Sequence, residues 1–215
     1  DFYLSRDHIS RDPYLPYVTA VVAHSQRLAR CLQDFHERVF YLDHDCRYLL
    51  PKMQPYRTEG PLLWVGYTGN LPYLARWLSE HSLPSQLMVL TDQPGRVPLP
   101  DAVQEIWTPR RQQEYLRFAR AALDIKGVSF NQEMRPPEKL EMFLSNGIPS
   151  ACNPESSLFN HFREDGFQIV DPADHTRWFS AEYHEETCAY AKVLRRRLDV
   201  GTVGKRMRSI LETLL

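Results

Sequence analysis

The sequence has few cysteines, little net charge and no long apolar run. Its four cysteines, Cys31, Cys46, Cys152 and Cys188, are widely spaced and form no CxxC pair, which argues against a zinc knuckle or a thioredoxin-type redox site. A formal net charge of −1 over 215 residues gives no general reason to expect a nucleic-acid partner, and no run approaches the length of a membrane span. We therefore expect a folded cytoplasmic protein with reduced cysteines and no nucleic-acid partner.

The sequence also lacks an initiating methionine and a recognisable signal peptide, since its first residue is Asp1. We expect a piece of a longer protein, and the targeting of that protein stays open. With 43% hydrophobic residues, the chain is long enough to bury one substantial core or two small ones.

Short apolar runs alternate with helix-type patterns along most of the chain. Strands are predicted at residues 17–23, 39–42, 62–65, 86–90, 103–107, 124–130, 148–152 and 167–170. Helices are predicted after a capping Ser25, at residues 71–81, 109–123, 137–145 and 155–162, and from residue 172 to the end with a break at 201–204. Residues 1–16 are expected to be irregular, and 51–61 to be a linker. Strands alternating with helices predict an α/β fold with a doubly wound parallel sheet.

The stretch from residue 129 to residue 153 is the strongest candidate for a binding site. Pro136 and Pro137 suit the first turn of a helix, and Gly147 suits its end. The polar loop 131–135 leads into that helix, whose free N–H groups and dipole favour an anion. Charged residues crowd this point: Glu133, Arg135, Glu138, Lys139 and Glu141. They predict a site for an anionic ligand that also carries hydroxyl groups.

A second loop lies at the carboxyl end of a predicted strand. Residues 66–70 read GYTGN, and ligands of doubly wound sheets bind at such strand ends. The simpler interpretation is a connecting turn. His44 stands between Asp43 and Asp45, but adjacent residues of an extended segment face opposite ways, so we expect a surface or hinge role rather than a metal site.

Together these features resemble the C-terminal, nucleotide-sugar-binding half of a GT-B fold glycosyltransferase. The similar group carries a Glu-x7-Glu signature (glycosyltransferase family 1/4-like), and here seven residues separate Glu133 from Glu141. The sequence Gly147-Ile148-Pro149 is similar to the G-x-P ending of the family's helix. The resemblance covers residues 62–170 and implies a Rossmann-like domain at 61–180, an N-terminal domain remnant and linker at 1–60, and C-terminal helices at 181–215.

The resemblance implies a role for each candidate residue. Glu133 would lie beside the donor sugar as the catalytic residue, and Glu141 would hold the ribose. The other expected donor-binding residues are Gly66, Thr68, Gly69, Asn70, Trp107, Arg135, Pro136, Pro137 and Lys139. The implied ligand is a nucleotide-diphosphate sugar, whose sugar passes to an unidentified acceptor hydroxyl without a metal or an organic cofactor. We expect little turnover from this fragment, because a GT-B enzyme needs an N-terminal acceptor domain.

Two departures from the family pattern leave alternatives open. The family's ribose-binding glutamate falls five residues before the closing glycine, where this chain has Met142, and Glu141 is one position, or about 100°, away. The segment after residue 70 also lacks the usual basic pair and offers only Arg76. The alternatives are a non-catalytic glycosyltransferase-like interaction module that has lost donor binding, and an unrelated doubly wound domain that binds another phosphate-bearing ligand.

The C-terminal segment is rich in basic residues. They are Lys192, Arg195, Arg196, Arg197, Lys205, Arg206 and Arg208. Such a run is usually a solvated helix face, and the alternative interpretation is peripheral contact with an anionic membrane surface.

Overall fold

A five-stranded parallel sheet forms the centre of the computed structural model, which describes residues 3–215. Its order is β5 (Ala102–Ile106), β4 (Leu87–Thr91), β3 (Leu62–Val65), β6 (Ala121–Asp124) and β7 (Ser150–Cys152), and all neighbouring pairs are parallel. The chain runs outward from β3 through β4 to β5 and then crosses to β6 on the other side of β3. Right-handed crossovers in opposite directions place helices on both faces of the sheet. The prediction of a Rossmann-like, doubly wound parallel sheet is confirmed.

Helices occupy most of the connections around this sheet. They are α3 (Leu71–Glu80), α4 (Pro109–Leu116), α5 (Phe130–Glu133), α6 (Glu138–Ser145), α7 (Ser157–Glu164), α8 (His175–Trp178), α9 (Ala181–Arg197) and α10 (Val200–Glu212). Gly147 has a φ of +73° just after α6, so a glycine is suited to ending this helix, as predicted.

The core of the sheet is apolar along whole strands. Every residue of β3, β4, β6 and β7 is buried, whereas β5 is partly exposed. Continuous apolar runs are typical of parallel strands that are covered on both faces. The sheet therefore provides a rigid base for the loops at its carboxyl edge.

A smaller unit precedes the sheet. It contains α1 (Arg6–Ser10), a 3₁₀ turn (Leu15–Tyr17), β1 (Val21–Ala23), α2 (Gln26–Leu32) and β2 (Val39–Tyr41), with β1 and β2 parallel. Ser25 caps α2 as predicted, because its Oγ accepts the Leu28 N–H at 3.3 Å.

Residues 42–61 contain no helix or strand, but they are bound to the larger unit. The Leu50 N–H donates to Asn146 Oδ1 at 2.7 Å, and the Gln54 N–H donates to Asn146 O at 2.7 Å. Gln54 Nε2 also donates to Leu116 O at 2.9 Å. Buried hydrogen bonds of this kind fix the path of the segment.

Several predicted boundaries are wrong. Residues 1–16 were expected to be irregular, but α1 lies within their described part. The helix that begins at Pro109 ends at Leu116, and the next strand covers 121–124 rather than 124–130. Asp124 is a buried charge with two lysine partners. It is the last residue of β6 and not, as predicted, the first residue of a strand. The loop predicted at 131–135 is largely the short helix α5.

The C-terminal region differs in two further places. The predicted strand 167–170 is reduced to a single bridge between Val170 and Ala151. The helix break falls at residues 198–199 and not at 201–204, because Asp199 caps a new helix by accepting the Thr202 N–H at 3.1 Å. That capping bond offsets the poor helix propensity of the two glycines that follow.

Candidate functional site

A cleft of about 400 Å³ opens at the carboxyl edge of the large sheet. Its walls include residues that follow β3, β4 and β5, the first turn of α6, and the segment 44–48 that follows β2. The chain reverses direction across the sheet between β3 and β6, and such a switch point is where doubly wound folds bind their ligands. The position of the cleft is therefore that of a ligand site.

A buried charge cluster supports one wall of the cleft. Lys139 Nζ donates to Asp124 Oδ1 at 2.9 Å, and Lys126 Nζ lies 3.3 Å from Asp124 Oδ2. Burial alone would raise the pKa of the Asp124 carboxyl, but the two ammonium groups outweigh burial and hold that pKa below its usual range. Burial lowers the pKa of Lys139 to about 8 against the opposing effect of Asp124. Two cations around one carboxylate leave a net positive charge beside the cleft.

Gly66 brings the backbone close to this cluster. A Cβ at this position would lie 2.6 Å from Trp64 Cη2 and 3.1 Å from Lys139 Nζ. The Lys139 ammonium itself lies 4.7 Å from the centre of the Trp64 ring, a cation–π contact. Only glycine lets the loop pass over the lysine at this distance.

Thr68, Gly69 and Asn70 do not line the cleft. Thr68 Oγ1 and N both donate to Asp92 Oδ1, at 2.9 and 2.7 Å. Asn70 Oδ1 accepts from Gln132 Nε2 at 3.1 Å, and a Cβ on Gly69 would meet no atom within 4 Å. Thr68 and Asn70 thus fix the loop after β3 to its neighbours on either side.

Trp107 presents an aromatic surface at the end of β5. It lines the cleft with 38% of its surface exposed, and its Nε1 donates to Gln112 Oε1 at 2.5 Å. Gln112 Nε2 in turn contacts Met142 Sδ at 2.9 Å. The hydrogen bond to Gln112 therefore fixes the orientation of the indole, while part of the ring stays exposed to the cleft.

Glu141 lies on the cleft wall together with Met142. Its side chain is 4% exposed, and Arg197 donates to its Oε1 at 2.7 Å. No residue among 3–215 hydrogen-bonds to the other oxygen. Burial raises the pKa of Glu141 to about 7 despite Arg197, which is shared with Asp165 at 2.6 Å. The offset of one position has not turned Glu141 away from the cleft, and the simpler interpretation of an exposed helix residue is wrong.

Four other predicted residues lie near the start of α6 but outside the cleft lining. Glu133 is half-buried in α5, and no described residue bonds to its carboxylate. Arg135 Nε donates to Asn131 Oδ1 at 3.2 Å. Pro136 is half-buried, and Pro137 is buried at the N-cap of α6.

Three of the seven C-terminal basic residues bind other segments of the protein. Arg195 donates to Ser145 O and Leu50 O, Arg197 joins Glu141, and Arg206 pairs with Asp43. In the part of the chain that the structure describes, no helix has the length and apolar character to cross a bilayer. Membrane contact stays a prediction and would rest on the exposed side chains of Lys192, Arg196, Lys205 and Arg208.

The sequence interpretation missed several residues of the site. Asp124 and Lys126 are the first and third residues of the predicted strand 124–130, although two charges just after an apolar run are a signal for a strand end. Gln112 carried no signal, because its importance depends on contacts with distant residues. His44, for which a surface or hinge role is predicted, lies half-buried in the lining of the cleft.

The fold is similar to those of solved GT-B glycosyltransferases. Anabaena HepE in complex with UDP-glucose matches with a TM-score of 0.70 and 10% identity, over 97% of this chain and 68% of HepE. Sucrose-phosphate synthase from Thermosynechococcus elongatus matches with a TM-score of 0.68 and 9% identity, over 98% and 62%. TarM matches with a TM-score of 0.64 and 7% identity, over 94% of this chain and 44% of TarM.

These matches establish the fold class and no more, because the identities are low. The chain spans 44% of TarM and 62% of the sucrose-phosphate synthase. No protein-family model and no curated protein matches the sequence. The chain has the Rossmann-like fold found in GT-B glycosyltransferases.

Proposed function

We propose that this chain is the donor-binding part of a glycosyltransferase and that its cleft binds a nucleotide-diphosphate sugar. The observation that carries the proposal is the position of Lys139, whose ammonium lies under the Gly66 loop at the switch point of the sheet. A diphosphate needs cations and N–H donors, and the Lys126–Asp124–Lys139 cluster is a net cation there. The similarity to HepE, which was solved with UDP-glucose, supports the same ligand class.

Each part of the donor has a proposed partner. The diphosphate lies against Lys139 and Gly66, and Arg135, Pro136 and Pro137, which lie outside the lining, support the start of α6 beside it. The base stacks on the open part of Trp107, since planar aromatic surfaces attract bases. The ribose hydroxyls donate to the oxygen of Glu141 that Arg197 leaves unbonded. Glu133 stands beside the sugar, and Thr68, Gly69 and Asn70 shape the loop above it.

The proposed reaction transfers the sugar to an acceptor hydroxyl. The acceptor oxygen forms a bond to the anomeric carbon, the bond from that carbon to the diphosphate breaks, and the nucleoside diphosphate leaves with the electron pair. The proton of the hydroxyl is released. Negative charge grows on the leaving group, so a fixed cation such as Lys139 stabilises the transition state more than the ground state. The proposal includes no metal and no organic cofactor.

Titration of the protein with nucleotides tests the proposal. UDP, GDP, ADP and their glucose conjugates are added in calorimetric and thermal-shift experiments. A ligand at 100 times its dissociation constant should stabilise the protein by about 2.7 kcal/mol. The variants are Lys139→Met, Glu133→Ala and a matched control, Lys192→Met, which removes an exposed lysine of α9.

The account predicts saturable binding of one nucleotide, lost in Lys139→Met and retained in Lys192→Met. Glu133→Ala should lower the affinity for the sugar conjugate more than the affinity for the free nucleotide, because Glu133 is assigned to the sugar. Absence of binding by all of these nucleotides would contradict the proposal and leave a non-catalytic interaction module.

A further inference from the structure

Two imidazole rings stack on each other, and one of them, His44, lines the cleft. His24 follows β1 and His44 follows β2, and because these strands are parallel their carboxyl ends lie at one edge. The ring centroids are 3.9 Å apart and the planes differ by 27°. His24 Nδ1 lies 2.8 Å from Leu42 O, and a carbonyl only accepts, so this nitrogen carries the proton. Neither ring nitrogen of His44 bonds to any residue among 3–215.

The segment that carries His44 is held by hydrogen bonds at two residues that follow the histidine. The Cys46 N–H donates to Leu198 O at 2.9 Å, and Asn146 Nδ2 donates to Tyr48 O at 3.3 Å. Tyr48 has a φ of +59°, a conformation that a bulky residue adopts only where its surroundings enforce it. His44 is therefore a positioned side chain with two unused nitrogens, and it faces the proposed donor site.

The charge of the cleft gives this ring a role. Around the cleft, four carboxylates outnumber two basic groups: Asp45, Asp92, Glu138, Glu141, Arg47 and Lys139. A bound nucleotide sugar adds two more negative charges. Opposite charges a few ångströms apart attract each other, so bound diphosphate favours a new positive charge on the wall.

The groups around His44 set its state before the ligand arrives. Burial, the largest influence, lowers the pKa of His44, Glu138 and Asp45 oppose that effect, and His24 and Arg47 add to it. The ring is thus mainly neutral near pH 7 in the free protein.

We propose that His44 takes up a proton from solvent when a nucleotide-diphosphate sugar enters the cleft and then donates an N–H to the diphosphate, while the His24 ring stacks behind it. The inference rests on the proposed function and adds a proton-linked contact to it. His44 thereby supplies the cation that the segment after residue 70 lacks.

Calorimetry at several pH values tests the inference. The probes are UDP-glucose, GDP-glucose and ADP-glucose, because the diphosphate of a nucleotide sugar does not titrate between pH 6 and pH 8. Titration at pH 7 in two buffers of different ionisation enthalpy should show uptake of up to about one proton per ligand. The affinity should rise several-fold from pH 8 to pH 6.

The variant His44→Gln keeps a polar side chain that cannot take up a proton. It should abolish proton uptake and flatten the pH dependence, with a larger loss of affinity at pH 6 than at pH 8. Glu141, with a pKa of about 7, and Lys139, with a pKa of about 8, also titrate in this pH range. Glu141→Gln is the comparison, because it leaves the proposed contact between Lys139 and the diphosphate in place. Uptake that is lost in His44→Gln and kept in Glu141→Gln would support the inference.

Other outcomes separate the two proposals. Ligand binding with no proton uptake, or with uptake unchanged in His44→Gln, would overturn the role of His44 and leave donor binding intact. Absence of binding by all three sugar conjugates would overturn both. A melting temperature for His44→Gln equal to that of the wild type would show that the variant is folded.

Discussion

The large sheet unit and the small β1–α2–β2 unit share a parallel strand–helix–strand plan but differ in how they are stabilised. Four of the five large-unit strands are buried throughout. The small unit has two strands of three residues, and an isolated two-stranded sheet is marginal in water. It is joined to the rest by apolar contacts with Phe130 and Met134. Polar contacts of the segment that follows it, such as Asp43 with Arg206 and the Cys46 N–H with Leu198 O, add to these.

The two sides of the cleft differ in the same way. The Gly66, Trp107 and Lys139 side belongs to the rigid sheet unit, whereas His44 belongs to the segment that leaves the small unit. Regions of a protein with many buried apolar contacts open less readily than regions with few. We therefore expect the nucleotide side of the cleft to be fixed and the His44 side to depend on the ties to the C-terminal helices.

The largest predicted effect comes from truncating one leucine in each core. Leu63→Ala in β3 should cost about 2–5 kcal/mol, because Leu63 is fully buried within a well-packed sheet. The matched variant Leu32→Ala, at 2% exposure in the small core, should cost less of the global free energy of unfolding. Urea denaturation measures the first effect, and hydrogen exchange of α2 measures local opening in the second. An equal global cost at the two positions would contradict the comparison.

A smaller effect is predicted at Gly66. The variant Gly66→Ala should destabilise the protein by about 1–3 kcal/mol, because its Cβ would overlap the buried Trp64 ring and push against Lys139. Gly69→Ala is the matched control in the same loop, since it meets no atom within 4 Å. Thermal unfolding of the two variants measures the difference. Equal melting temperatures would show that the loop can move away from the ring.

The smallest predicted effect is the pH dependence due to Glu141. Its folded-state pKa, about 7, lies above its unfolded value, so the native state binds the proton more tightly. The stabilisation is present below the unfolded pKa and is lost as pH rises toward 8. The difference in free energy of unfolding between Glu141→Gln and the wild type should therefore shift in favour of the variant by on the order of 1–2 kcal/mol from pH 5 to pH 8. Urea denaturation at both pH values measures it, and a constant difference would show that Arg197 keeps Glu141 ionised throughout.

The sequence was informative wherever a local pattern decided the structure. Buried strands such as 62–65, the Ser25 cap and the Gly147 helix end follow from apolar runs, capping chemistry and backbone freedom. The parallel sheet followed from the alternation of strands and helices. Gly66, Trp107, Lys139 and Glu141 were placed at one site by resemblance to a family, and the structure brings these four to the cleft.

The remaining features depend on contacts between distant residues. Asp124 is a buried charge because Lys126 and Lys139 reach it, and sequence periodicity carries no record of that pairing. The sequence predicts Arg197 on a solvated basic helix face. In the structure it pairs with carboxylates from three other segments, Asp43, Glu141 and Asp165. The stack of His24 on His44 likewise needs β1 and β2 to pair first.

The indole N–H signals of the four tryptophans give the most direct test of where a nucleotide sugar binds. Trp107 lines the cleft. Trp77 is a buried residue of α3, and Trp178 is fully buried and donates to Pro149 O. In nitrogen-15 correlated NMR spectra, titration with UDP-glucose, GDP-glucose or ADP-glucose should shift the Trp107 signal progressively and leave those of Trp77 and Trp178 in place. Trp107→Phe assigns the signal. Saturable binding that leaves Trp107 unchanged would contradict the assignment of this cleft as the donor site.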